Sequence, residues 1–180
     1  DKFDGLGDIE RKLIRTPLEP EKTFDDDPLR IMRAFRFASQ LNFQVDESVL
    51  KAASLMADRL KIISQERITD ELMKILATNN PSIGLILLFE SGVLKVIFPE
   101  LHNLAGVEQR NDFHHKDVFY HTCIVVDNIA SVSDDLWLRF AALVHDIAKP
   151  PTKKFIEGTG WTYHGHEELG ARMMKSIFER

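Results

Sequence analysis

The spacing of apolar residues along the chain predicts a protein built almost entirely of helices. Apolar positions recur three and four residues apart over residues 26–41, 47–61, 66–78 and 81–92. Beyond a polar stretch at residues 107–114, similar patterns cover residues 115–131 and 133–149, and a last helix is predicted from about residue 164. Only residues 13–16 have the character of a short strand. The predicted fold class is therefore all-α, a helical neck and body followed by a second helical domain, with little or no strand.

Turn and cap residues set the expected limits of these elements. Asp27 is a good N-cap and Pro28 suits the first position of a helix, with Asp25 and Asp26 placed near the positive end of its dipole. Asn42 marks the stop of that helix. Loops are expected over most of residues 1–22 and over 149–162, and a short apolar turn plus loop over 93–106.

The helix after Pro28 has one apolar face and one arginine face. At 100° per residue, Ile31, Ala34, Phe35 and Ala38 share a stripe that predicts the core side, and the arginines fall on the opposite side. No carboxylate follows within the helix to pair with them at i+4. Guanidinium groups suit bidentate contacts to phosphates and base edges, so a nucleotide-contacting face competes with an ordinary solvated face. The residues of this face are Arg30, Arg33 and Arg36, with Asp27 one turn before the first of them.

A second set of polar residues lies in the C-terminal half, where six of the seven histidines follow residue 113. The segment 136–148 is apolar nearly all round, which predicts a buried helix, and a His-Asp doublet interrupts its end. Imidazole and carboxylate ligands suit Mn, Fe, Co, Ni or Zn and metal-activated water, whereas a single histidine is more often structural. The set, in chain order, is His121, His145, Asp146, His164 and His166.

Composition places few limits on this picture. The chain has 180 residues, 44% of them hydrophobic, and a net charge of −5, which argues mildly against a general nucleic-acid binder. Its one cysteine, Cys123, cannot form an internal disulfide and is expected to serve in packing, so a reducing, cytoplasmic setting fits. No apolar run of about 20 residues is present to span a membrane. The opening at Asp1 without Met, and the end inside a predicted helix, favour an internal piece of a longer protein.

The sequence FDDDPLRIMRAFRFASQLNF resembles the neck motif of CCA-adding enzymes and poly(A) polymerases, with Asp26 where the family often has Glu. GLGDIERKLIRTPL upstream resembles the end of that family's catalytic head, and ISQERITDELMKIL resembles its next neck motif. The resemblance implies that Asp27 and Arg30 read the base of an incoming CTP or ATP. It implies further nucleotide contacts from Arg33 and Arg36, and tRNA as the partner.

The same resemblance implies a limit on this chain. The family holds two Mg²⁺ ions with an Asp-x-Asp pair on a strand after a Gly-rich loop, and nucleotidyl transfer needs those ions. The run Asp25–Asp27 is predicted to cap a helix, and no other such pair is present. The catalytic head is therefore expected upstream of Asp1, and the 180 residues alone are expected not to add nucleotides.

The order HKDVFYHT, AALVHDIAKP and WTYHGHEELGA resembles the HD superfamily. This resemblance implies His121, His145 and Asp146 as metal ligands, with His164 and His166 as second-site ligands or phosphate contacts. A phosphate contact from Lys149 is weighed against an ordinary solvated lysine, which is favoured. The family adds one more Asp on a later helix, so the site here is expected to be incomplete.

Together the two resemblances predict the organisation of the chain. Residues 1–22 are assigned to the tail of a catalytic head, 23–110 to a neck and body, and 111–180 to the first part of an HD domain. The predicted function is that of part of a tRNA nucleotidyltransferase. Three alternatives stay open: a poly(A) polymerase, an HD phosphohydrolase, and a structural helical module that binds RNA or a subunit.

Overall fold

Helices form nearly all of the regular structure, as the apolar spacing predicted. A computed structural model describes residues 1–111 and 114–180, with side chains described for residues 1–107 and 117–180. The helices are α1 (Gly5–Glu10), α2 (Pro20–Asp26), α3 (Leu29–Leu41), α4 (Glu47–Met56), α5 (Gln65–Leu76), α6 (Pro81–Glu90), α7 (Val93–Ile97), α8 (Pro99–His102), α9 (Val118–Ala130), α10 (Leu136–Val144), α11 (Lys149–Thr152) and α12 (His166–Phe178), with a 3₁₀ turn at Ala57–Ile62 after α4.

The described strands are short and form three two-stranded pairs. β1 (Leu13–Ile14), the predicted strand, lies parallel to β2 (Gln44–Val45), which the sequence did not indicate. β3 (Glu108–Asn111) and β4 (His114–Asp117) form an antiparallel hairpin where a polar boundary was expected, although residues 112–113 of that stretch lie outside the described residues. β5 (Lys154–Ile156) and β6 (Gly160–Thr162) form a second hairpin within the segment predicted as a loop.

The acidic run before α3 was assigned to the wrong helix end. Asp25 and Asp26 are the last residues of α2, which begins at Pro20, so they do not lie at the start of α3. Asp27 has an extended backbone because it precedes Pro28, which disfavours a helical conformation for its neighbour. The N-cap of α3 is Pro28 and not Asp27, and the helix begins at Leu29, but the Asp27 carboxylate still accepts a hydrogen bond from the Leu29 amide at 3.2 Å.

Two short helices replace the turn and loop expected over residues 93–106. Gly92 adopts the left-handed conformation at φ 75°, which lets the chain leave α6 and enter α7 at once. Pro99 then begins α8, a position that suits its fixed backbone angle.

A single apolar cluster extends from Phe24 to Ala148 among the described residues, so both halves of the chain share one core. α3 packs on α5 and α6, and α9 packs on α6 and α10. The predicted stripe of α3 faces this core, with Ile31, Phe35 and Ala38 fully buried and Ala34 nearly so. Arg30 and Arg33 are thereby directed away from the core.

The prediction for the segment 136–148 was wrong in two respects. The helix ends at Val144, because the backbone tightens into a turn in which the Ile147 amide bonds to Val144 O, ahead of the prolines of α11. The helix is also not buried all round, since only Arg139 and Leu143 are buried in it and Trp137 is 65% exposed. The one charged residue of α10 is therefore inside the protein, while several of its apolar residues are outside.

Within the described residues, none of the helices combines the length and the hydrophobicity that a bilayer-spanning segment requires.

Candidate functional site

The first candidate site is the arginine face of α3, which begins where α2 ends. Arg30 is exposed, and its Nη1 donates to Thr23 O at 3.3 Å and lies 3.9 Å from the Asp26 carboxylate. Contacts of this kind at an exposed position contribute little stability, so a ligand can displace them at low cost. Arg33, one turn further on, is also exposed, and no ion pair is recorded for it among the described side chains.

Asp27 is held by an arginine of another helix. Arg67 Nη2, from α5, lies 3.1 Å from Asp27 Oδ2 and 3.5 Å from Oδ1. The carboxylate also accepts from the Leu29 amide, so two elements fix its direction. The second neck motif contained Arg67, but its sequence gave no sign that this arginine reaches Asp27 across forty residues.

Arg36 differs from the other two arginines of α3, because it is largely buried. Its Nε lies 3.1 Å from Glu71 Oε2 of α5, and the exposed fractions of the two side chains are 16% and 7%. The guanidinium also stacks 4.5 Å from the centre of the Phe37 ring. The structure thus directs Arg36 into the α3–α5 interface, away from Arg30 and Arg33, and gives it the carboxylate partner that its own helix lacks.

The second candidate site lies where α9, the end of α10 and the start of α12 meet. Ligand atoms of His121, His145 and Asp146 lie within 4.8 Å of one another, and no other group of at least three such residues is found in the described part of the chain. His121 projects from α9, and the turn that ends α10 directs His145 and Asp146 to the same point. The site is therefore formed where the turn after α10 faces α9.

Asp146 is the centre of this cluster and is 3% exposed. Its Oδ2 accepts from Lys149 Nζ at 2.8 Å and lies 3.1 Å from His145 Nε2. Its Oδ1 lies 3.7 Å from His166 Nε2. His145 and His166 are oriented in turn by the carbonyls of Ala142 and Tyr163, at 2.7 and 2.8 Å from their Nδ1 atoms.

The charges of this cluster reinforce one another. Burial acts to raise the pKa of Asp146, but hydrogen bonds from His145 and Lys149 outweigh it and lower that pKa to about 2. The hydrogen bond to Asp146 raises the pKa of His145, against the opposing effect of desolvation. The carboxylate is therefore fully ionised at neutral pH, as a metal ligand must be.

The donor chemistry of the cluster fits a divalent transition metal. Two imidazoles and one buried carboxylate are the mixed nitrogen and oxygen set that Mn, Fe, Co, Ni and Zn accept. A cation already interacts with this carboxylate, because Lys149 is buried and its ammonium group lies against Asp146. His166 adjoins the trio through Asp146, whereas the exposed His164 is not part of the group.

Lys149 corrects an expectation drawn from the sequence. A solvated lysine was favoured at this position, but the side chain is buried, paired with Asp146 and 5.7 Å from the Tyr163 ring centre. The sequence does contain a signal, because Lys149 lies three residues after Asp146, a spacing at which helical turns bring side chains together.

Cys123 is buried in the core, in agreement with its expected role in packing. It is 2% exposed, and burial raises its pKa to about 12. A protonated, enclosed thiol is a poor nucleophile and a poor metal ligand.

Comparison with known proteins identifies two family regions in the chain. Residues 42–104 match a family model described as "Probable RNA and SrmB- binding site of polymerase A". Residues 118–180 match the HD domain model. The arginine face of α3 precedes the first matched region, and the histidine cluster lies inside the second.

Relatives and solved structures agree with these regions. The chain is 35% identical over 187 residues to a protein named Multifunctional CCA protein from Psychromonas ingrahamii, and 34% identical to one of the same name from Vibrio campbellii. Each alignment covers 100% of this chain and 44% of the relative, so the chain spans under half the length of these proteins.

Among solved structures, a tRNA-processing enzyme with CTP superposes with a TM-score of 0.58 at 26% identity, covering 99% of this chain and 48% of that one. A CCA-adding enzyme with ATP superposes with a TM-score of 0.52 at 26% identity, over 82% of this chain and 39% of that one.

Proposed function

We propose that the chain, which over its two matched regions belongs to the family of CCA-adding enzymes and poly(A) polymerases with an HD domain, is the nucleotide-reading and tRNA-positioning part of a tRNA nucleotidyltransferase. The observation that supports this best is the start of α3, where Arg30 and Arg33 are exposed and Arg67 fixes Asp27 three residues before Arg30. Relatives named for CCA addition, and similar structures described with CTP and ATP, support the same assignment.

In the proposed mechanism, Asp27 and Arg30 read the hydrogen-bonding edge of the base. The carboxylate accepts from the exocyclic amino group that cytosine and adenine share, and the guanidinium donates to the adjacent ring nitrogen or carbonyl. Arg67 holds Asp27 in position, so the carboxylate is oriented before the nucleotide arrives. Arg33 adds a phosphate or sugar contact from the same exposed face.

The role proposed for Arg36 is different from that implied by the family resemblance. Its guanidinium already lies against Glu71, so a direct nucleotide contact would leave that buried carboxylate with only Lys74 Nζ, at 3.4 Å, as a cationic partner among the described side chains. We therefore propose that Arg36 supports the site by fixing α3 to α5, and that base reading rests on Asp27 and Arg30.

The proposed domain organisation follows from this function. Residues 1–22 would close a catalytic head that supplies the Mg²⁺ ions, residues 23–110 would form the neck and body, and residues 111–180 would begin the HD domain. The two matched regions, 42–104 and 118–180, lie on either side of the proposed boundary. We place the protein in the cytoplasm, which the buried, unpaired thiol of Cys123 supports.

Binding of nucleotides to the 180-residue chain tests the proposal directly. We expect CTP and ATP to bind more tightly than UTP and GTP, because only the first two offer an amino group beside an acceptor on this edge. Arg30→Ala should weaken CTP binding at least about tenfold, the loss of one bidentate contact. Arg172→Ala, at an exposed arginine on α12, is the matched control and should leave binding unchanged.

Equal affinity of the wild type and Arg30→Ala for CTP would refute the base-reading role and favour a structural RNA-binding module. The chain alone should bind nucleotides without incorporating them into tRNA, because its sequence lacks the metal-binding Asp-x-Asp motif of the family's catalytic head. Incorporation by the chain would contradict that expectation. Preference for ATP alone, with no CTP binding, would favour a poly(A) polymerase.

A phosphohydrolase activity is the second candidate function, and the cluster of His121, His145 and Asp146 favours it. A transition metal bound there would supply an activated water for attack on a phosphoester. The chain's own residues would orient the site, since Asp146 fixes His145 and His166 through its two oxygens. Hydrolysis of bis-p-nitrophenyl phosphate that depends on added metal and is lost in Asp146→Ala would support it, with Asp58→Ala on the exposed surface as the control.

A further inference from the structure

The ion pair between Lys149 and Asp146 is buried, although one of its members is a candidate metal ligand. The side chains of Lys149 and Asp146 are 8% and 4% exposed, and Nζ lies 2.8 Å from Oδ2. That same oxygen faces His145 Nε2 at 3.1 Å. Asp146 Oδ2 is the oxygen best placed to bind a metal together with His145. It is already paired with a cation, the ammonium group of Lys149.

Burial explains why Asp146 needs a cation at all times. An isolated carboxylate loses most of its hydration inside a protein, and the cost is large unless a charge or hydrogen-bond donors replace the water. Among the described side chains, Lys149 Nζ is the nearest of the three nitrogen neighbours of Asp146, at 2.8 Å, against 3.1 Å for His145 Nε2 and 3.7 Å for His166 Nε2, and an ammonium group offers three donors. Lys149 is thus the dependable partner of Asp146 when no metal is bound.

The position of Lys149 also bears on metal binding. A divalent ion on Asp146 would stand beside the ammonium group, and two cations sharing one carboxylate repel each other. The lysine side chain is a flexible four-carbon chain and can withdraw its ammonium group from the carboxylate. The Tyr163 ring, whose centre lies 5.7 Å from Nζ, offers the ammonium group a second favourable contact. Binding of metal and contact with Lys149 are therefore competing states of the same carboxylate.

We infer that Lys149 is an internal counter-ion that takes the place of the metal on Asp146, so that this half of the chain folds without metal and binds it in exchange for the ion pair. The inference rests on the proposed metal site. The ion pair should lower the affinity of the site for metal and raise the stability of the metal-free protein, compared with a protein that has the same ligands but lacks Lys149.

The test combines thermal unfolding with direct metal binding for the wild type, Lys149→Met, Asp146→Asn and the double variant. In EDTA, Lys149→Met should lower Tm by about 5 °C or more, as expected when one partner of a buried pair is lost. Asp146→Asn should restore at least half of that loss in the double variant, because the amide needs no counter-ion. Lys154→Met, which removes an exposed lysine nearby, should change Tm little.

Titration with Mn²⁺, followed by the loss of the EPR signal of the free ion, gives the second measurement. Lys149→Met should bind Mn²⁺ at least about tenfold more tightly than the wild type, because one neighbouring positive charge is gone. Its Tm should also rise more than that of the wild type in saturating Mn²⁺. Lys154→Met should bind as the wild type does.

The outcomes separate the inference from the metal site on which it rests. Equal Mn²⁺ affinity of the wild type and Lys149→Met would overturn the inference and leave the metal site intact. Failure of Asp146→Asn to restore stability would overturn the counter-ion role on its own. If neither protein binds Mn²⁺, the proposed metal site fails, and the exchange fails with it, whatever the stability measurements give.

Discussion

α3 and α10 are both rich in apolar residues and both contain arginine, but they differ in whether the arginine is exposed or buried. α3 buries its apolar stripe and leaves Arg30 and Arg33 on the surface. α10 leaves Trp137 and Leu138 on the surface and buries Arg139, which is 2% exposed. The contrast shows that an arginine in a helix with an apolar face is available to a ligand only where its side chain is exposed and its donors are not taken up by several buried carbonyls.

The partners of Arg139 explain its burial. Nη1 donates to Leu76 O at 2.8 Å and to Thr78 O at 2.9 Å, at the end of α5, where helix carbonyls lack partners of their own. Nε and Nη2 donate to Ser133 O at 3.0 and 2.8 Å, just after α9. One guanidinium therefore joins the ends of two helices that lie in the two different matched regions.

Loss of Arg139 should have the largest effect on stability among the arginine variants. Arg139→Met preserves most of the side-chain volume but leaves several buried carbonyls without donors, each of which costs about 1–3 kcal/mol. We expect a loss of at least about 3 kcal/mol in the free energy of unfolding, measured by urea denaturation. Arg33→Met on the exposed face of α3 is the matched control, and an equal loss in the two variants would erase the contrast between the helices.

The sequence could predict the helices better than the contacts between them. The core stripe of α3, its end at Asn42 and the grouping of His121 with the His145–Asp146 doublet could be predicted because they depend on local spacing or on family motifs. The burial of Arg139 could not, because its partners lie about sixty residues away along the chain. The pairs Asp27–Arg67 and Arg36–Glu71 have the same origin, since the packing of α3 on α5 alone brings them together.

Arg36 provides the next test. Its position in the sequence of α3 predicts an exposed side chain, yet the side chain is largely buried, as that of Arg139 is. A double-mutant cycle with Arg36→Met and Glu71→Gln should give a coupling free energy of about 2 kcal/mol, as expected for a largely desolvated pair. The corresponding cycle for Arg172 and Glu168, an exposed pair on α12, should give little coupling. Similar coupling in both cycles would show that Arg36 belongs with the ligand-facing arginines after all.

The smallest effect is expected at the apolar residue that α10 exposes. Trp137 contacts the rings of Phe140 and Phe178 at 6.1 and 6.4 Å between centres, yet most of its surface remains in water. Trp137→Ser should therefore change the free energy of unfolding by less than about 1 kcal/mol. Phe35→Ala, at a fully buried aromatic residue of α3, should cost about 3–5 kcal/mol in the same urea experiment. A large loss of stability in Trp137→Ser would mean that the outer face of α10 contributes to the core. Arg139 would then be the one residue of α10 whose burial runs against its polarity.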